Sequence, residues 1–378
     1  MEEARRVKRL FWSWPVLLLA AVAALWACKP DAPIKIGFIA GTSGRVADLG
    51  ISGRDAVQLA VEQCNREGGI DGRKIQLLTR DDQQRSDIAV QKTKELIEAG
   101  VVAIIGPMTS DMGIAMAPVA DASEILLVSP TATTDLLSAK DDYFFRVTST
   151  TRDYAAKSAR YQIASGTMRS VVAVYDLSNR SFCESWMANF EKTFAAGGGR
   201  VLDKVGFDAN SDRSFLDIAH ELLAAGSEGI LIIANSMDSA LLCQQIRKLD
   251  EAIPITLADW GATERLLELG GKAVEEITVV QTFDRDSQAP PYQAFRKAYM
   301  DRYQHEPGFP GVYAYDAAQV LLTALRRQKN GESLKTTLLA IRRFEGLQSP
   351  FSFDDFGDVQ RPHASISVIR DGQFVVVE

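Results

Sequence analysis

From residue 34 onward the chain alternates short apolar, β-branched runs with amphipathic stretches, and this rhythm limits the folds open to it more than any other feature. The segments 34–39, 74–79, 102–105 and 125–128 read as strands, separated by helical stretches at 51–66, 88–99 and 111–122. Strands without clean polar alternation, joined by helices, belong to parallel sheets covered on both faces. The rhythm restarts after Thr148, with strands at 170–175, 201–207, 229–233 and 254–257 and helices near 182–195, 213–225 and 239–249. The sequence therefore predicts two doubly wound α/β domains in succession. Helical segments at 291–304 and 313–327 follow, and two short alternating runs, 365–370 and 373–377, close the chain like a hairpin. The length of 378 residues suits two domains, each with its own core.

The first 28 residues are a separate object. Arg5, Arg6, Lys8 and Arg9 precede an apolar run at 10–26 that stops at Ala27-Cys28. This resembles a bacterial lipoprotein signal, with a basic start, a short apolar stretch and Cys28 as the site of lipid attachment. The alternative is an uncleaved anchor, but the run is short for a span and Pro15 interrupts it. Either way the rest lies outside the cytoplasm. Removing the segment takes away four basic and two acidic groups, so the formal charge goes from −7 to −9. An acidic body argues against nucleic acid as a partner, because a phosphate backbone needs a basic stripe. Three cysteines remain, Cys64, Cys183 and Cys243. A Cys183–Cys243 bridge and buried free thiols both fit the sequence.

The segment 106–134, GPMTSDMGIAMAPVADASEILLVSPTATT, places a hydroxyl cluster after each of two strands. In open α/β sheets ligands settle outside the carboxyl ends of the strands, where helix N-termini aim unpaired N–H groups outward. Ser110, Thr131, Thr133 and Thr134 are neutral partners suited to a carboxylate that must bind and leave again. Ser110 and Thr133 also fit as ordinary helix caps. The three histidines, His220, His305 and His363, lack metal-site spacing, and neither a GxSxG elbow nor a GK[ST] loop occurs. An enzyme is not expected, and neither is a cofactor or a metal.

Taken together, KIGFIAGTSGRVADLG at 35–50, GRDAVQLAVEQCNREGGIDGRKIQLLTRDDQ at 53–83, the 106–134 segment, VYDLSNRSF at 174–182, YAYDAAQVLLTAL at 313–325 and FDDFGDVQ at 353–360 resemble the branched-chain amino acid group of periplasmic solute-binding proteins. These are the ligand-capturing subunits of ABC importers, and GGxDGRxxxLxxxDD is the most specific part of the match. The resemblance implies the type I periplasmic binding protein fold, two lobes joined by three crossings with the ligand between them. It places lobe 1 at 34–148 plus 281–345 and lobe 2 at 149–280 plus 346–378. It also implies a membrane permease as partner, while the signal ending at Cys28 implies a lipid anchor at the membrane. Ser110, Thr131 and Thr133 match the positions that hold a ligand carboxylate.

Lobe 2 departs from that pattern. Arg180-Ser181 stand where relatives have Tyr-Gly, Trp260 where they have an acid for the ligand ammonium, and Asn235 where an aromatic is common. Asp259 is one residue from the acidic position. Read for themselves, Arg180 offers a charged fork to a second acidic group and Trp260 a flat apolar face. The alternatives are that Arg180 pairs with Asp176 or Glu184 on its own loop and that Trp260 covers a helix end. Arg45 is a further candidate at the cleft mouth. The function expected is capture of an amino acid or related small carboxylate for import. The alternative is a lipoprotein of the same fold that senses ligands or activates a cell-wall synthase.

Overall fold

A computed structural model describes residues 32–360 and 364–378; Cys28 with the rest of the proposed signal, and His363, lie outside them. The first sheet is built from β1 (Ile34–Ala40), β2 (Ile75–Asp81), β3 (Ala103–Ile105), β4 (Leu126–Ser129) and β5 (Phe144–Arg146). Between these strands run α1 (Ala47–Arg66), α2 (Ser86–Glu98) and α3 (Ser110–Ala122). The order is β2-β1-β3-β4-β5, all parallel. Ile36, Phe38 and Ile39 of β1 are buried on both faces of the sheet, which is why the run reads as continuously apolar.

The second domain repeats the plan. It comprises α4 (Thr151–Ser165), β6 (Ser170–Asp176), α5 (Arg180–Ala196), β7 (Arg200–Phe207), α6 (Phe215–Ala224), β8 (Gly229–Ile233), α7 (Ser236–Leu249), β9 (Ile255–Leu257), α8 (Glu264–Gly270) and β10 (Thr278–Gln281). The chain then forms α9 (Pro290–Tyr303), α10 (Gly308–Arg327) and α11 (Leu334–Ala340), followed by β11 (Ser352–Phe353), β12 (Val359–Gln360), β13 (Ser365–Arg370) and β14 (Gln373–Val376). The second sheet runs β14-β13-β10-β9-β8-β6-β7. Its parallel part has the same relative strand order as the first sheet, and β13 and β14 add an antiparallel edge. Asp371 and Gly372 both take positive φ at the β13–β14 turn, the geometry that favours an Asp-Gly hairpin.

α10 packs along α1, so the chain returns to the first lobe after β10. The last crossing falls later than the sequence suggested. Instead of joining lobe 2 at residue 346, the segment through β12 stays on lobe 1. Phe353 packs edge-on against Phe145 at 5.5 Å. Arg146, whose side chain is fully buried, donates from Nε to Asp358 Oδ1 at 2.8 Å, from Nη1 to the Thr134 carbonyl at 2.9 Å and from Nη2 to Ser138 Oγ. A buried guanidinium needs every donor met, and the 354–358 turn supplies the anion. Only β13 and β14 cross back to lobe 2, after Gln360.

The three cysteines Cys64, Cys183 and Cys243 are free and buried, and Cys183 Sγ lies 3.4 Å from the Ile233 carbonyl. The Cys183–Cys243 bridge left open by the sequence is not formed. Burial raises the Cys243 thiol to about 12 and lifts Cys183 well above its ordinary value, so both behave as small apolar groups. Among the described residues no helix is long and apolar enough to cross a membrane.

Candidate functional site

Each parallel sheet has a switch point, β1/β3 in the first and β6/β8 in the second, where neighbouring strands send their connections to opposite faces. Loops diverge there and leave a crevice at the carboxyl ends. The two crevices face each other. Between them lies a narrow cavity of about 20 Å³, lined by Leu49, Met108, Thr109, Ser110 and Thr131 from the first half of the chain, Asn179, Phe182, Asp259 and Trp260 from the second, and Phe309 at the start of α10.

On the lobe 1 side, the approach of β3 to β1 dictates local chemistry. Gly106 has φ +123, and a Cβ there would meet the Ile39 carbonyl at 2.3 Å, so only glycine lets the chain turn into the 107–110 loop. Ser110 opens α3. Its Oγ accepts the backbone N–H groups of Thr133 and Thr134, both at 3.2 Å, which leaves its own hydrogen available to the cavity. Thr131 donates to the Met108 carbonyl. The Oγ1 of Thr133 is buried and has no partner among the described residues. The capping role read for Thr133 belongs instead to Thr134, which accepts from Leu136 N at 3.3 Å and donates to the Ser181 carbonyl across the cleft at 2.9 Å.

On the lobe 2 side the residues sort differently from the sequence reading. Arg180 does not enter the cavity. Its side chain is 61% exposed and lies 3.4 Å from Glu184 one helical turn on, the ordinary pairing of an exposed helix face. Of the two readings open from the sequence, the pairing with Glu184 is the one present, and Arg180 is not among the residues lining the cavity, so the charged fork toward a second acidic group is not formed in this arrangement. Asn235 is also occupied. It caps α7 by accepting Asp238 N at 2.9 Å, and its Nδ2 donates to Asp176 at 3.1 Å and Asp238 at 2.7 Å. Its amide separates two buried carboxylates; burial raises both, Asp176 to about 6.

Asp259 and Trp260 do reach the cavity. Asp259 is buried, accepts Trp186 Nε1 at 2.9 Å, and is raised to about 6 by desolvation. Trp260 meets Phe182 edge-on at 5.5 Å, so it walls the cavity. Sequence reasoning missed Leu49, Met108, Phe182 and Phe309, whose apolar side chains look like any other core residues along the chain. It also missed Asn179, although that residue ends the YDxxN motif. Among the described residues no Lys, Arg or His contributes to the lining, and Asp259 is its one ionisable member. Among the described residues no cluster of His, Cys, Asp and Glu could hold a metal ion.

The lobes touch directly. Asp48 accepts from Ser236 Oγ at 2.6 Å and Thr263 Oγ1 at 2.7 Å. Arg45 pairs with Asp238, whose side chain is fully buried, so this candidate for the cleft mouth is an interlobe tie. Gln84 accepts Thr109 Oγ1 at 3.0 Å and donates to the Ser178 carbonyl at 3.3 Å.

Two open α/β lobes connected by three crossings, with a cavity where their switch points face, define the type I periplasmic binding protein architecture. The family model described as periplasmic binding protein matches residues 33–373, and the chain belongs to that family, in its branched-chain amino acid group. It is similar to the Leu/Ile/Val-binding protein BraC3 of Rhizobium johnstonii, 24% identical with 96% of this chain and 99% of the relative covered. The branched-chain amino acid substrate-binding protein LivJ of Streptococcus pneumoniae, solved with isoleucine, superposes with a TM-score of 0.82 at 25% identity, covering 91% of this chain and 99% of that one. A solute-binding protein of R. palustris, solved with benzoate, superposes with a TM-score of 0.83 at 21% identity, covering 91% and 95%, and supports the fold alone.

Proposed function

We propose that the protein is the extracytoplasmic solute receptor of an ABC importer, tethered through a lipid on Cys28, and that it captures a small monocarboxylate, an amino acid or an aromatic acid, between its lobes. The observation that carries this reading is the composition of the cavity. Ser110 offers a free hydroxyl hydrogen beside the N-terminus of α3, and Thr131 lines the cavity in the adjoining turn, an arrangement suited to a carboxylate. Asn179 adds an Nδ2 with no partner among the described residues. Opposite stand Phe182, Trp260, Phe309 and Leu49, which suit an aliphatic or aromatic body. Asp259 is the one ionisable group there, and it favours a solute with an ammonium or another hydrogen-bond donor. A second carboxylate would meet Asp259 and no cation, so dicarboxylates are disfavoured. Relatives described as binding leucine, isoleucine and valine, and a fold neighbour solved with benzoate, agree with this class.

The test is a thermal-shift panel of isoleucine, benzoate and succinate on the purified protein. A solute at a hundred times its dissociation constant stabilises by about 2.7 kcal/mol, a visible shift. Isoleucine or benzoate should move the midpoint and Ser110→Ala should abolish the movement; a shift with succinate alone would overturn the monocarboxylate reading.

A further inference from the structure

The contact between α3 and α5 is reciprocal. Asp111, the second residue of α3, accepts Arg180 N on Oδ2 at 2.9 Å and Ser181 N on Oδ1 at 2.8 Å. Asn179, immediately before α5, accepts Asp111 N on Oδ1 at 3.0 Å. Each helix thus receives its N-terminal cap from the opposite lobe. A helix start leaves N–H groups without intrahelical acceptors, and a capping side chain normally comes from the residue just outside the same helix. Here neither Thr109 before α3 nor Asn179 before α5 caps its own helix with its side chain. The anionic cap of α5 also sits at the positive end of the helix dipole. Neighbouring contacts extend the seam: Asp135 N donates to Ser185 Oγ at 3.2 Å, and Asn189 Nδ2 donates to Asp135 Oδ2 at 2.6 Å.

We propose that Asp111 and Asn179 form a latch that holds the lobes closed without a solute, by exchanging helix caps across the cleft. Every bond in it is made by the chain itself. Opening the lobes exposes three helix-terminal N–H groups and three acceptor oxygens on two side chains at once, so the ties are lost together. A solute then enters a protein whose closed form is already populated, and opening becomes the event that gates its entry and exit.

Amide hydrogen exchange on the purified, solute-free protein reads this directly. The N–H groups of Asp111, Arg180 and Ser181 lie in first helical turns, where exchange is fast unless an outside acceptor is present. The latch requires them to be slowed. Asp111→Ala should restore fast exchange at Arg180 and Ser181, and Asn179→Ala should restore it at residue 111, while the later turns of α3 and α5 stay slow and report an intact fold. The exposed Arg180→Ala change is the control and should leave all three slow. Small-angle scattering should show the solute-free parent in the closed arrangement and the Asp111→Ala/Asn179→Ala double variant more extended. Fast exchange at these amides in the parent, or a double variant as compact as the parent, would overturn the proposal. Neither measurement uses a solute, so failure of the whole solute panel would count against the receptor reading and leave the latch result standing.

Discussion

Replacing Asp259 by Asn separates what this acid costs the fold from what it does for a solute. Its carboxyl is buried and raised by desolvation from 3.8 to about 6, with Trp186 Nε1 as donor and, among the described residues, no Lys, Arg or His in the cavity lining. That shift corresponds to about 3 kcal/mol at roughly 1.4 kcal/mol per pKa unit, an upper figure for a desolvated site that relaxes. The folded value lies above the unfolded one. The protonated acid is therefore fully compatible with the fold below about pH 4, and stability is lost as the pH rises through 6 and the carboxylate is forced to ionise in place. Asn has nearly the same shape, keeps an oxygen for Trp186, and never ionises. Guanidinium unfolding should find the two proteins alike at pH 4 and Asp259→Asn more stable at pH 8 by up to about 3 kcal/mol. The cavity reads the same change differently. A solute whose ammonium meets the carboxylate should lose about 2.7 kcal/mol of binding, roughly a hundredfold, whereas benzoate should bind about as before. An Asp259→Asn variant no more stable than the parent at pH 8, or equally stabilised at both pH values, would refute the desolvation argument.

Two further outcomes test other parts of the molecule. Asp358→Ala leaves the Arg146 guanidinium buried with only neutral partners, so denaturant unfolding should show a loss of about 3 kcal/mol; a loss below about 1 kcal/mol would mean that the 354–358 turn does not tie residues 346–360 to lobe 1. Growth with radiolabelled palmitate should label the protein and leave the Cys28→Ser variant unlabelled, and an unlabelled parent would exclude acylation at this position.

The α/β organisation was legible because it depends on local pattern. Buried parallel strands need apolar side chains on both faces, so 34–39 and 229–233 stand out as continuous runs wherever the chain is read. Ser110 and Thr131 line the cavity for a related reason, since loops at the carboxyl ends of such strands gather at the switch points. Trp260 was placed in the cleft, and its partner Phe182 was not, because nothing along the chain separates a cavity wall from an ordinary core position. Arg180 was open to two readings, a fork for a second acid or a partner of Asp176 or Glu184, and only the packed chain shows it reaching Glu184. Asn235 was singled out by its place in the resemblance, but its amide caps a helix and bridges two carboxylates, and it does not line the cavity.

The sequence by itself determined that this chain makes two doubly wound sheets, where their switch-point loops lie, and that one of those loops is rich in neutral hydroxyls. Periodicity and turn chemistry act over a few residues and survive in one dimension. Tertiary structure alone decided the rest. It kept residues 346–360 on lobe 1 through a buried arginine, turned Arg45 from a cleft candidate into a tie between lobes beside Asp48, and assigned the caps of α3 and α5 to residues of the opposite lobe. Those outcomes depend on which donors and acceptors meet across distances of many tens of residues. A buried polar group takes whatever partner the packed chain brings to it, and no spacing along the sequence names that partner in advance.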